Sequence, residues 1–166
     1  TLDGDVAAPG EEGEIRAKAP QVMRGYLDPS LDEAAFDSDG YFRTGDLGRL
    51  EEAGNVIITG RVKDVIIRKG ENVSAKEVED LLYTHPAVGD VALIGLPDPD
   101  SGERVCAVVQ TAAGSEPVSF EEMVTHLKEA GLMTQKLPEQ LEIIEAIPRN
   151  PAGKVLKHVL QDQYKG

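Results

Sequence analysis

Three short polar stretches hold the residues that could do chemistry. In Gly40-Tyr-Phe-Arg-Thr-Gly-Asp46 a carboxylate closes a Thr-Gly-Asp step. A carboxylate so placed can accept from both hydroxyls of a ribose, although the tripeptide equally suits a plain tight turn. Gly60-Arg-Val-Lys-Asp64 is followed by Lys69-Gly70-Glu71, so two glycines bracket a basic strand that offers donors to a ribose or a phosphate. A strand with exposed charges and a type I′ or II turn at Gly70 is the plainer reading. In Pro148-Arg-Asn-Pro-Ala-Gly-Lys154, two prolines and a glycine stiffen a loop that delivers one lysine to a helix start. Cations gain nothing from a helix N-terminus, so the position of Lys154 asks for another reason, an anion such as a carboxylate or a phosphate. An ordinary exposed lysine is the alternative.

These stretches need elements to hold them. Residues 1–60 read as short strands, Glu14–Lys18, Gly40–Phe42, Asp46–Leu50 and Asn55–Thr59, with a helical turn capped by Ser30 and Glu33. They are too short and peripheral to form a complete core alone. From Arg61 the pattern changes: strand 64–68, a turn at 69–72, a helix capped by Ser74 and Glu77, and apolar strands at 91–94 and 105–109. A helix capped by Ser119 and Glu122 then stops at Gly131, and strand 141–144 and helix 154–164 complete the order. The reading is an α+β chain: a small sheet flanked by helices over 61–166, preceded by a β-rich segment over 1–60.

Composition narrows the function. The net charge of −13 is spread over both parts, −8 in residues 1–60 and −5 in 61–166, so neither has the basic face of a nucleic-acid binder. Aromatics make up 4% and tryptophan is absent, which removes base-stacking platforms. Positive charge gathers only at Arg61, Lys63, Arg68 and Lys69, and again at Arg149, Lys154 and Lys157 beside His158. The lone Cys106 lies in an apolar run and reads as a small buried hydrophobe, in keeping with a reducing, cytoplasmic setting. No stretch approaches the ~20 apolar residues of a membrane span.

In combination and in this order, Tyr41-Phe-Arg-Thr-Gly-Asp46, Gly60-Arg-Val-Lys-Asp64 and Pro148-Arg-Asn-Pro-Ala-Gly-Lys154 resemble the adenylate-forming superfamily. That superfamily holds acyl-CoA synthetases, peptide-synthetase adenylation domains and firefly luciferase. The resemblance covers essentially the whole chain, with Gly70-Glu-Asn-Val-Ser74, His85-Pro-Ala-Val88 and Gly95-Leu-Pro-Asp-Pro99 matching between the motifs. It implies that a carboxylic acid attacks ATP to give an acyl-adenylate and that a thiol then takes the acyl group. Asp46 and Arg61 would contact the nucleotide at its ribose, and Lys63 would be the hinge. Lys69, Gly70 and Glu71 would line the passage for the pantetheine arm of CoA, and Lys154 would be the catalytic lysine of adenylation. Ala152 departs from the serine common in the family at that position.

The same resemblance places the phosphate loop, the residue that helps hold Mg²⁺ and the acid pocket in a large domain upstream. Residues 1–60 would be the tail of that domain and 61–166 its mobile lid, so the chain alone is expected to be inactive, while the full protein uses ATP, Mg²⁺ and CoA. The acid would be fatty, medium-chain or alicyclic. With no carrier segment after Gly166, a CoA ligase is favoured over an amino-acid-activating domain that loads a carrier protein. A non-enzymatic α+β metabolite-binding module is the reading from a different class.

Overall fold

The computed structural model describes residues 6–165. The chain divides into two compact units, Thr1–Lys63 and Asp64–Gly166. In the first, β1 (Glu12–Ala17), β2 (Phe42–Leu50) and β3 (Val56–Arg61) form an antiparallel sheet in that order. The two strands expected at 40–42 and 46–50 are one strand, β2. Its break is a bulge: Glu14 pairs with Leu47 and Arg16 with Arg43, so Thr44, Gly45 and Asp46 stand opposite Ile15 alone.

The helical turn differs from expectation. A 3₁₀ turn, Pro29–Leu31, leads into α1 (Asp32–Ala35), and Asp28 is the cap. The Asp28 carboxylate accepts from the Ser30 backbone N–H at 3.0 Å and from the Ser30 hydroxyl at 2.7 Å. With its hydroxyl committed backwards, Ser30 does not cap, and Pro29 takes the first position, where no N–H is required. Among the described residues of this unit, Leu47 is the one buried apolar side chain, whereas Met23, Tyr26, Leu27, Leu50, Val56 and Ile58 are exposed.

The second unit holds a five-stranded sheet and three helices. Its strands are β4 (Val65–Arg68), β5 (Glu71–Ser74), β6 (Val88–Asp98), β7 (Gly102–Thr111) and β8 (Gln140–Ile144). The helices are α2 (Ala75–Leu82), α3 (Phe120–Glu129) and α4 (Lys157–Tyr164). The strand order is β5-β4-β7-β6, and β8 runs parallel to β7. Since β6 follows β7 along its length, β4 and β8 share the other edge, β4 meeting it at Gly102 and β8 from Cys106 to Gln110.

Strand parity explains the two cores. Val91, Leu93, Val105, Ala107 and Val109 point to one face, where Val78 and Leu82 of α2 and Met123 and Leu127 of α3 cover them. Ala92, Ile94, Leu96, Cys106 and Val108 point to the other, under Leu160 of α4 and Ile147. Both faces are buried, so β6 and β7 read as continuous apolar runs rather than alternating ones. Each such Val or Leu contributes roughly 1.5–3 kcal/mol by leaving water.

Local signals place the helices. Ser119 and Glu122 form a reciprocal capping box, and Gly131, at φ +88, follows the end of α3. The Ser74 hydroxyl accepts from Glu77 N–H at 3.4 Å, and Val73 and Val78 are both fully buried, in position for the hydrophobic staple. Strand β5 was not expected. Residues 69–72 read as a turn, but the turn is confined to Lys69 and Gly70, with φ of 51 and 81, and Arg68 pairs directly with Glu71. Two successive positive φ values make it the I′ type, whose twist suits a hairpin.

Candidate functional site

The bulge in β2 shapes the first cluster. Gly45 has φ +70, which lets the Thr44 hydroxyl donate to Ile15 O at 2.6 Å and accept from Asp46 N–H at 3.0 Å. Asp46 lies directly across from Arg61 on β3. Arg61 Nε is 2.7 Å from Asp46 Oδ1, yet its N–H is not aligned as a hydrogen bond, so Coulomb attraction holds the pair. The side chains are 39% and 38% exposed, which limits the pair to about 1 kcal/mol or less. Oδ2 of Asp46 has no hydrogen bond among the described residues and can still accept one.

Lys63 is exposed on a 3₁₀ turn, Val62–Asp64, between β3 and β4. The division between the two units falls just after it.

Lys69, Gly70 and Glu71 form the exposed tip of the β4–β5 hairpin. The tip is braced, with Lys69 N–H donating to Ser101 O at 2.8 Å. Arg68 at its base donates through Nε to Glu139 at 2.7 Å and through Nη1 to Gln135 O at 2.8 Å. Gly70 is there for its backbone, because a Cβ would meet nothing within 4 Å.

Lys154 does not start a helix as expected. Helix α4 begins at Lys157, and Lys154 lies on the loop before it. The loop is closed by a bridge between Arg149 and Val155. Inside it, Asn150 Oδ1 accepts from Ala152 N–H at 3.0 Å and from Lys154 N–H at 2.9 Å, and Gly153 has φ +80. Ala152 is exposed and contributes a backbone N–H, so the substituted side chain leaves this shape intact.

The basic clusters are not what their sequence spacing implies. Arg149 pairs with Asp90 at 2.7 Å and Lys157 with Glu79 at 2.8 Å, acids 59 and 78 residues away. Lys154 is exposed, and its ammonium has no partner among the described residues. Sequence reading missed Asp90 and Asn150. An asparagine ahead of Pro-Ala-Gly is a local signal for the turn it makes. Asp90 announces itself only as a charge at the head of an apolar run. Burial pushes its carboxyl up, but the Tyr83 hydroxyl, Arg149 and the Val91 N–H outweigh that and hold it below the ordinary range.

The sites in the second unit lie apart. The hairpin tip belongs to the β5–β4 edge of the sheet, and the Lys154 loop is tied to β6 at the other edge. Asp46 and Arg61 are the predicted pair that the fold brings into contact. Among the described residues, no group of three or more His, Cys, Asp or Glu is placed to hold a metal ion. Likewise, no described helix is long and apolar enough to cross a membrane.

Comparison with known proteins gives these positions a context. Residues 77–154 match the AMP-binding enzyme C-terminal domain. The chain is 41% identical over 162 residues to a salicyl-AMP ligase / salicyl-S-ArCP synthetase of Mycobacterium tuberculosis, covering 97% of this chain and 28% of that protein. It is 42% identical over 154 residues to a medium-chain fatty-acid–CoA ligase of Escherichia coli, covering 92% of this chain and 27% of the relative. The crystal structure of ATP-bound MatB from Rhodopseudomonas palustris superposes with a TM-score of 0.87 at 38% identity, over 96% of this chain and 31% of that one. The chain thus spans less than a third of the length of these relatives. Motifs, fold and relatives agree that the chain belongs to the adenylate-forming superfamily, of which it carries the C-terminal portion.

Proposed function

We propose that this chain is the closing part of an ATP-dependent acid–CoA ligase, in which residues 61–166 act as a lid and residues 1–60 belong to a large adenylation domain. The observation that carries this is the treatment of Lys154: a braced, exposed loop presents an ammonium with no partner among the described residues, while Arg149 and Lys157 beside it are neutralised. Adenylation brings a carboxylate against a triphosphate, and one preorganised charge at that encounter is worth ~10²–10³ in rate. Asp46, through Oδ2, and Arg61 fit a ribose, which asks for acceptors and donors side by side. The hairpin tip at Lys69, Gly70 and Glu71 is the second working face, lining the path of a pantetheine arm. Lys63 is the hinge between the two uses, an exposed residue at the junction of the units. Mg²⁺ and the acid pocket are assigned to the upstream domain. The exposed apolar side chains of residues 6–63, with one buried Leu47 among them, fit a segment that completes its core against that domain.

The acid is proposed to be fatty, medium-chain or alicyclic and the thiol to be CoA, in line with the fatty-acid–CoA ligase among the relatives. A carrier-protein thiol is the second reading, favoured by the salicyl-S-ArCP synthetase. The test is acid-dependent ATP–pyrophosphate exchange, run on this chain alone and on it joined to its large domain. Exchange is expected only in the joined protein. There Lys154→Ala should lower exchange ~10²-fold or more and spare thioester formation from a supplied acyl-adenylate. Lys63→Pro should do the reverse. Equal loss in both half-reactions would refute the two-face arrangement, and transfer to a carrier protein but not to CoA would select the second reading.

A further inference from the structure

Among the described residues Lys154 has no side-chain partner that could aim it, so its direction comes from its backbone. One contact beside it does this. Arg149 Nη1 donates to Gly153 O, the carbonyl immediately before Lys154, at 2.8 Å. The other guanidinium nitrogen, Nη2, is gripped by both oxygens of Asp90 at 3.0 and 2.7 Å. Asp90 is itself held on three sides: the Val91 N–H donates to Oδ1 at 2.9 Å, the Tyr83 hydroxyl donates to the same oxygen, and Arg149 completes the set.

The backbone around Asp90 is built for this. It sits at a bulge, since Val88 pairs with Thr111 and Asp90 with Gln110, leaving Gly89 without an opposite number. A Cβ on Gly89 would lie 3.0 Å from Ala112 Cα and 3.1 Å from Thr111 O, a tight fit against backbone that favours glycine there. Tyr83 is the C-terminal cap residue of α2. A continuous path therefore runs from α2 through Tyr83, Asp90 and Arg149 to the Gly153 carbonyl and Lys154.

We propose that Asp90 is a positioning residue for Lys154, fixing Arg149 and through it the carbonyl that sets the direction of the lysine. Asp90 touches no substrate; it acts through Arg149. The proposal rests on the reading of Lys154 as the lysine of the adenylation step. A misplacement of about 1 Å at a reacting group can lower a rate ~10²-fold.

The experiment is a double-mutant cycle in the complete ligase, this chain joined to its large domain. Asp90→Asn, Lys154→Ala and the double variant are compared in ATP–pyrophosphate exchange and in thioester formation from supplied acyl-adenylate. Asp90→Asn is expected to lower the kcat of exchange about 10- to 100-fold. KM for ATP and thioester formation should not change, and the substitution should add no further loss in the Lys154→Ala background. Tyr83→Phe, which keeps the ring and removes one donor to Asp90, should give a smaller loss of the same selectivity, and it carries the test if Asp90→Asn does not fold. Unchanged exchange in both, equal loss in the two half-reactions, or an undiminished effect on top of Lys154→Ala would overturn the proposal while leaving Lys154 in place. An unimpaired Lys154→Ala would overturn the reading of that lysine and this proposal with it.

Discussion

Lys154 and Arg149 lie on one loop and are treated in opposite ways. The Arg149 guanidinium makes three hydrogen bonds, two to Asp90 and one to Gly153 O, whereas among the described residues Lys154 is held only through its backbone. Holding the backbone and releasing the ammonium suits a residue that must meet a partner brought from outside. Cys106 is the opposite case, a reactive residue type made inert. Burial in the α4-side core, with Glu142 nearby, pushes its thiol up to about 12. A thiol so shifted stays protonated at neutral pH, and only the thiolate attacks. Cys106 is therefore expected to resist an aromatic disulfide reagent at pH 8 in the folded chain and to react fully once denatured. Prompt reaction of the native protein would show that the sheet opens on the reagent's timescale.

At the scale of elements, capping made α2 and α3 legible, whereas α4, which has no side-chain cap, starts at Lys157 rather than at Lys154. The Ser119–Glu122 box and the Ser74 cap are local, so spacing alone locates them. The strand at 71–74 was hidden because Glu-Asn-Val-Ser has one apolar residue, Val73, and only its pairing with β4 makes it a strand. That hairpin turns on Gly70, whose φ of 81 is unfavourable for any L side chain although space is open around it. Gly70→Ala should thus destabilise the second unit by ~1–2 kcal/mol, entirely through backbone conformation. Urea unfolding of the pair would read this as a lower midpoint at unchanged slope; an equal midpoint would mean that the turn relaxes to another type.

At the scale of the molecule, charge and length dominate. A net charge of −13 on 166 residues is self-repelling, and most of the ion pairs are partly exposed. Salt screens the repulsion of the whole more than it weakens these few short pairs. The thermal midpoint is expected to rise by a few degrees between ~10 mM and ~150 mM NaCl, the Debye length falling from about 30 to 8 Å. A fall would show that pairs such as Arg68–Glu139 and Lys157–Glu79 outweigh the net charge. As for length, this chain spans 28% of one relative and 27% of another, and under the proposed function the sparsely buried first unit would complete its core against a large adenylation domain.

The amino-acid sequence by itself determined the α+β class, the order of most elements, the starts of α2 and α3 and the motifs that mark the superfamily. These are local properties, written in periodicity, caps and turn residues. Tertiary structure decided what needed distant partners: Asp90 against Arg149, Glu79 against Lys157, and the parallel strand β8 beside β7. It also decided that Thr44-Gly45-Asp46 is a bulge, because only the register against β1 shows three residues facing one. A basic run read along the chain cannot show which of its charges will be neutralised from 59 or 78 residues away, and so it could not show that Lys154, unlike Arg149 and Lys157, would have no ion-pair partner among the described residues.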